Sequence, residues 1–309
     1  MLQGGISVAF QAQGRHITGL LIPAQMKYPV ITNYIGGATT DASAALLDVT
    51  DPSVGSVISK VSLSTAAELD HAVQTAKVAF RKWSATPIKE RVQVFFRYKA
   101  LLERDIESLA ALIVEENGKV FGEAKAEVER AIECVEFACS LPQLASGEIL
   151  EVSRGVDCRI DRWPLGVVAS ITPFNFPSMV PHWTVPNALA LGNTMILKPS
   201  EVVPLSAIRT AELLAEAGLP AGVLNVVQGG REAVEAICDH PDIEAISFVG
   251  STAVAKVVYR RGSANLKRVL ALGGAKNHLI VMPDADREMA AGNIVGSMAG
   301  CAGQRCMAA

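Results

Sequence analysis

"GVVASITPFNFPSMVPHWTVPNALALGNTMILKPSE", Gly166–Glu201, holds two short apolar runs, GVVASI and TMILK, separated by a helical stretch that ends near Leu191. Runs this short and this apolar suit strands buried on both faces. The same alternation continues downstream. A helix across Ala207–Ala217 leads to "GVLNVVQGG", and a helix over Arg231–Asp239 leads to "AISFVGS". A helix from about Thr252 leads to "KRVLALGG". Strands alternating with helices at this spacing predict βαβ units and a parallel sheet covered by helices, an α/β fold. Ligands of such sheets lie beyond the carboxyl ends of the strands. The candidate site positions are therefore Thr172–Asn175, Lys198–Glu201, Gly229–Gly230, Gly250–Ser251 and Gly273–Gly274.

Working outward, "STAAELDHAVQTAKVAFRKW" opens with Thr65 and Glu68 at capping-box spacing and repeats apolar residues at three and four, which predicts a helix. A long amphipathic helix is expected from Lys89 to about Glu116, and another from Phe121 to about Leu141. "EILEVSRGVDCRIDRWPLG" alternates polar and apolar residues about a glycine, the pattern of a two-stranded ribbon. After the fifth βαβ strand, "NHLIVMPDAD" predicts one more strand, and a helix from about Arg287 leads into "GCAGQRCMAA", Gly300–Ala309.

Composition narrows the functional classes. The chain of 309 residues is 50% hydrophobic and 19% charged with net charge −3, as for a globular protein. No basic cluster suggests nucleic acid, and aromatics at 5% leave little for base stacking. No apolar run reaches the ~18 residues of a membrane span. Six cysteines without C-x-x-C spacing and five scattered histidines point to reduced thiols and no metal site. Residues 1–40 carry no acid and only Arg15 and Lys27 as bases. We expect residues 1–25 to form a disordered leader.

Each motif read alone has an ordinary explanation beside a functional one. Ser251 at a strand–helix junction is an N-cap or part of a phosphate site. Lys198 and Glu201 are surface charges or partners of a ribose. Asn175 in "TPFNFP" is a turn residue or an oxyanion donor. Cys306 is the cysteine singled out as a nucleophile; the others read as small buried apolar residues.

Together these stretches resemble the aldehyde dehydrogenase superfamily. The matching motifs are PFNFP, KPSE at 198–201, GST at 250–252, Gly273–Gly274 after a strand, and GQRC, in the family's order, and the likeness runs from about Asn33 to the last residue. The resemblance implies Cys306 as nucleophile and Asn175 in the oxyanion hole. It implies an NAD site lined by Thr172, Pro173, Phe174, Lys198, Glu201, Val202, Gly230, Phe248, Gly250, Ser251 and Gly273. It further implies an NAD-binding domain over 26–147 and 166–275, an oligomerisation hairpin at 148–165, and the start of a second α/β catalytic domain at 276–309. Family members continue past this point, so we expect a C-terminally truncated chain that is inactive alone, from a parent that assembles as a homo-oligomer, a dimer of dimers.

One departure is informative. Hydrolytic members carry Glu in a Glu-Leu-Gly-Gly motif, and here Ala271 stands in that position. This change, with GAKNH and GQRCMA, resembles the CoA-acylating methylmalonate-semialdehyde dehydrogenase branch. That likeness implies coenzyme A as co-substrate, a carboxylated semialdehyde as substrate, and Arg130 with Arg305 as its carboxylate receptor. A helix-surface ion pair with Glu127 or Glu133 is the other reading of Arg130, and lowering of the thiol pKa is the other reading of Arg305. A hydrolytic enzyme and a non-catalytic nucleotide-binding subunit are the alternatives. The compartment expected is the cytoplasm, with a mitochondrial matrix as the other possibility.

Overall fold

The computed structural model describes residues 26–308. The expected leader, residues 1–25, lies outside the described residues. Four short strands come first: β1 (Tyr34–Ile35), β2 (Ala38–Thr39), β3 (Leu46–Asp51) and β4 (Ser56–Ser62). Four helices follow: α1 (Ala66–Trp83), α2 (Ile88–Arg104), α3 (Ile106–Asn117) and α4 (Phe121–Leu144). Thr65 and Glu68 close the capping box at the start of α1. A hairpin of β5 (Glu148–Ser153) and β6 (Val156–Ile160) turns at Gly155, and every residue of both strands is exposed.

The expected single helix from Lys89 to Glu116 is two helices. Asp105 separates them with a non-helical φ/ψ of −100/10, and its carboxylate is held by Arg104 at 2.6 Å and Arg209 at 2.8 Å. Gly118 ends α3 at φ +82, where a side chain would also meet Pro52 at 2.7 Å.

Alternation then sets in: β7 (Val167–Ile171), α5 (Met179–Ala190), β8 (Thr194–Lys198), α6 (Leu205–Glu216), β9 (Leu224–Val226), α7 (Arg231–Asp239), β10 (Ile243–Val249), α8 (Thr252–Ala264) and β11 (Arg268–Leu272). These five strands pair in parallel, as the sequence predicts. The full sheet order is β11-β10-β7-β8-β9-β1-β2, with β1 and β2 added antiparallel at one edge, so the sheet is mixed.

Side chains alternate across the sheet and meet a different helical layer on each face. Val168, Met195 and Leu197 pack under α2, α4, α5 and α6, whereas Ile171, Ile196 and Phe248 pack under α1, α7 and α8. The chain runs β7, β8, β9 one way across the sheet and then crosses back to β10 and β11 on the other side of β7, so strand order reverses between β7 and β10. A crevice opens beyond the strand ends at such a reversal.

The strand expected at "NHLIVMPDAD" does not form. Residues 277–283 are exposed and pair with no strand among the described residues, so their apolar pattern has no ladder to join. The last helix, α9 (Arg287–Gly303), begins at the Asp286 cap and kinks at its end.

Candidate active site

Three strand ends converge on one cleft of about 580 Å³. It is lined by Pro173–Asn175 after β7, Gly250 and Ser251 after β10, Leu272–Gly274 at β11, and Gly303–Met307 after α9. The cleft therefore sits at the reversal point of the sheet, and it brings Cys306, Arg305 and Asn175 together.

The cysteine loop is shaped by an abrupt bend. Gly300 leaves helical geometry at ψ 149, and Cys301 and Ala302 take φ +51 and +55. Left-handed backbone at two non-glycine residues in succession is costly and persists only where neighbours impose it. One neighbour is Glu123 of α4, whose carboxylate accepts from the Cys301 N–H at 2.7 Å. Cys301 is buried with Phe176, Met179 and Val180, and burial pushes its thiol up, so it serves packing. Cys306 is half-buried in the cleft wall. Its carbonyl accepts from the Asn277 amide at 2.9 Å.

Asn175 faces this loop. Its side-chain amide donates to the Gln304 carbonyl at 2.8 Å. Its own carbonyl accepts from Lys119 at 2.8 Å, and Lys119 is ion-paired with Glu127 at 2.5 Å with both side chains fully buried. Sequence reading missed Lys119, Glu123 and Glu127. At the start of α4 and in the turn before it they look like solvated charges, and only the packing of α4 against residues 175–179 and the end of α9 reveals their partners.

Arg305 lines the cleft and donates to the Gly296 carbonyl at 3.2 Å. Arg130 is not brought to the cleft. It is exposed and pairs with Glu133 at 2.7 Å along α4, so the helix-surface arrangement is the one present, with Glu133 and not Glu127 as partner. Ala271 is not among the residues that line the cleft. It packs toward α8, and its neighbour Leu272 is the side chain that lines the cleft.

The nucleotide side of the site is built from strand ends. Thr172 is buried and its N–H donates to the Lys198 carbonyl at 3.1 Å. Lys198 is buried, its ammonium bonded to the Gly229 carbonyl and 3.3 Å from Glu201; burial pulls its pKa down. Gly230 precedes α7, and Val202 is exposed just after Glu201. Phe248 is buried at the end of β10, and a side chain at Gly250 would strike its ring at 2.6 Å. Ser251 caps α8 by accepting from Val254, which makes the ordinary N-cap reading true while leaving the Thr252 and Ala253 N–H groups without intrahelical acceptors. These are the groups of this surface that would hold a dinucleotide. Its phosphates suit the start of α8, and its ribose hydroxyls suit Lys198 and Glu201.

Among the described residues no group of three His, Cys, Asp or Glu is placed to hold a metal, and no helix is long and apolar enough to cross a membrane.

The aldehyde dehydrogenase family profile matches residues 39–309, and the chain belongs to that family. The malonate-semialdehyde dehydrogenase 2 of Geobacillus thermodenitrificans is 52% identical over 280 residues, which is 90% of this chain and 58% of the relative. Malonate-semialdehyde dehydrogenase 1 of Geobacillus kaustophilus is 53% identical, again over 90% and 58%. Two solved structures share the fold at TM-score 0.89 and 45% identity. One is assigned as a methylmalonate-semialdehyde dehydrogenase from Sinorhizobium meliloti with NAD bound; the other is a methylmalonate-semialdehyde dehydrogenase from Oceanimonas doudoroffii. They cover 92% and 91% of this chain, which spans 58% of each of them. The chain thus spans a little over half the length of these relatives.

Proposed function

We propose that this site oxidises malonate or methylmalonate semialdehyde with NAD and passes the acyl group to coenzyme A. The observation that carries the reading is the cleft itself. It joins a half-buried thiol, a side-chain amide and a guanidinium, and its described lining contains no carboxylate and no imidazole.

The chemistry follows from those groups. The Cys306 thiolate adds to the aldehyde carbon, and the carbonyl electron pair moves to oxygen as an alkoxide. The Asn175 amide and the Cys306 N–H stabilise that charge. A charged alkoxide is a stronger acceptor than the Gln304 carbonyl, so the amide exchanges partners as charge develops. NAD, when bound, accepts the hydride, and loss of hydride re-forms the carbonyl as a thioester on Cys306.

Clearance of the thioester distinguishes the readings. Water needs a general base, a contribution of roughly 10²–10⁴ in rate. None lines the described cleft. The coenzyme A thiolate attacks the same carbonyl carbon and expels the Cys306 thiolate, giving acyl-CoA. A malonyl-type thioester has its carboxylate β to the thioester carbonyl, so it can lose CO2 through an enolate that is then protonated. Arg305 beside the nucleophile suits such a carboxylate. Both pairs of relatives support this substrate class by name, and Arg130 remains a second receptor only if it leaves Glu133.

The test is formation and clearance of the adduct. With aldehyde and NAD, and with the chain completed to the length of its relatives, mass spectrometry is expected to find acyl on Cys306 and on no other cysteine. Added coenzyme A should discharge it as acyl-CoA. Rapid discharge as free acid without coenzyme A would return the site to a hydrolytic aldehyde dehydrogenase, and absence of any adduct would leave a nucleotide-binding subunit.

A further inference from the structure

Helix α4 touches both halves of the site through two carboxylates one turn apart. Glu127 accepts from the Ser178 and Met179 N–H groups at 2.8 and 3.1 Å with one oxygen and from Lys119 with the other. Lys119 then reaches the Asn175 carbonyl and lies 4.2 Å over the Phe176 ring. Residues 175–179, the segment that carries the amide donor, are therefore gripped at both ends by one buried ion pair. Four residues earlier, Glu123 grips the Cys301 N–H where the chain leaves α9. Gly300 makes that approach possible. A side chain there would stand 2.9 Å from both the Glu123 carboxylate and the Arg305 guanidinium.

The two grips are separated by four helical residues, about 6 Å along the axis. Neither segment touches α4 by chance of packing alone. Each is held by charged groups that satisfy main-chain donors or acceptors, and such bonds are short and directional.

We propose that α4 is the spacer that sets the Asn175-to-Cys306 reach, with Lys119 and Glu127 positioning the oxyanion donor and Glu123 positioning the nucleophile loop. This rests on the thioester reading of the site and adds a set of residues to it. It accounts for the two left-handed residues before Cys306. The Glu123 bond holds a bend that the backbone alone would not keep.

In the chain completed to the length of its relatives, two reactions of Cys306 separate the roles without NAD. Acylation by p-nitrophenyl acetate passes through an oxyanion; alkylation by iodoacetamide does not. The charge-neutral pair Lys119→Met/Glu127→Gln leaves no lone buried charge and is expected to slow acylation roughly 10²-fold, the cost of a misplaced group, with alkylation unchanged. In an Asn175→Ala background the pair should add no further loss, because it acts through that residue. Glu123→Ala, at a partly exposed side chain, should slow both reactions because it moves the sulfur. If wild-type protein gives no acetyl adduct at Cys306, the functional reading fails. If wild type acylates and the folded pair acylates equally well, or loses both reactions together, or adds its loss to that of Asn175→Ala, the spacer alone fails.

Discussion

The side-chain amide of Asn175 donates at 2.8 Å to the carbonyl of Gln304, two residues before Cys306. An asparagine from the end of β7 and a peptide from the end of α9 thus share one corner of the cleft, although 129 positions separate them in the chain. The donor already stands beside the thiol loop before any substrate arrives, so it reaches a developing alkoxide by exchanging one nearby acceptor, the Gln304 carbonyl, for another.

Asn175→Ala should therefore slow thioester formation by roughly 10²–10³, the usual cost of one oxyanion donor. Because Asn175 is only half-buried, the melting temperature should barely move. Cys306→Ala should abolish the adduct, while Cys301→Ala should leave it in place. Equal acylation of wild type and Asn175→Ala, followed by mass spectrometry over time, would remove Asn175 from the chemistry.

Lys119→Met alone should cost far more stability than it saves in desolvation. It strands the Glu127 carboxylate, which is wholly buried, and breaking such a pair costs about 3–5 kcal/mol. Adding Glu127→Gln should recover part of that loss. Urea unfolding of the three proteins checks the order. A single variant as stable as the pair would mean that the ion pair contributes no net coupling.

The sequence makes the parallel core legible because its strands are long enough, apolar enough and bounded by turns. GVVASI, TMILK and AISFV each fall within a strand or one residue of it. It misleads where a local pattern has no partner. Residues 277–283 have strand-like composition and no neighbouring strand, and β1 and β2 are two residues each, too short to show a period. Asp105 breaks a continuous amphipathic run because two arginines, one of them 104 positions away, anchor its carboxylate. The site divides the same way. Cys306 and Asn175 stand in short motifs, but Lys119 and Glu127 acquire their roles only when the start of α4 packs on residues 175–179, and Glu123 only when it meets the end of α9.

Glu201→Ala should weaken NAD binding about 10-fold or more, the loss of one hydrogen bond to a charged group. Glu201 is 3.3 Å from the Lys198 ammonium, and the two carry the ribose-facing edge of the proposed nucleotide surface. Quenching of protein fluorescence by NAD measures the change, and iodoacetamide labelling of Cys306 should be unaffected. An unaltered NAD affinity would move the nucleotide away from this strand end.

His182 should make the fold acid-sensitive. It is buried in α5, stacked on Tyr98 with ring centroids 5.7 Å apart. Its ring nitrogens lie 2.7 Å from the Tyr98 hydroxyl and 2.6 Å from the Ser178 carbonyl. Burial pushes its pKa down to about 4 from 6.5. A folded pKa below the unfolded one means that the unfolded chain binds the extra proton between these values. Stability from His182 is therefore complete above pH 6.5 and lost as pH falls toward 4, by at most about 3 kcal/mol. Glu116 runs the other way. Burial raises it from 4.5 to about 7 despite bonds from the Leu205 N–H and from the Ser206 N–H and hydroxyl, so its contribution is lost as pH rises through that range. The wild-type profile sums both trends, and comparison of variants separates them. His182→Gln keeps an acceptor for Tyr98 and a donor for Ser178 but cannot titrate. Between pH 7 and 4.5 the stability of wild type should fall relative to this variant, with the gap widening steadily on acidification. Parallel curves across that interval would show that protonation of His182 is not coupled to unfolding.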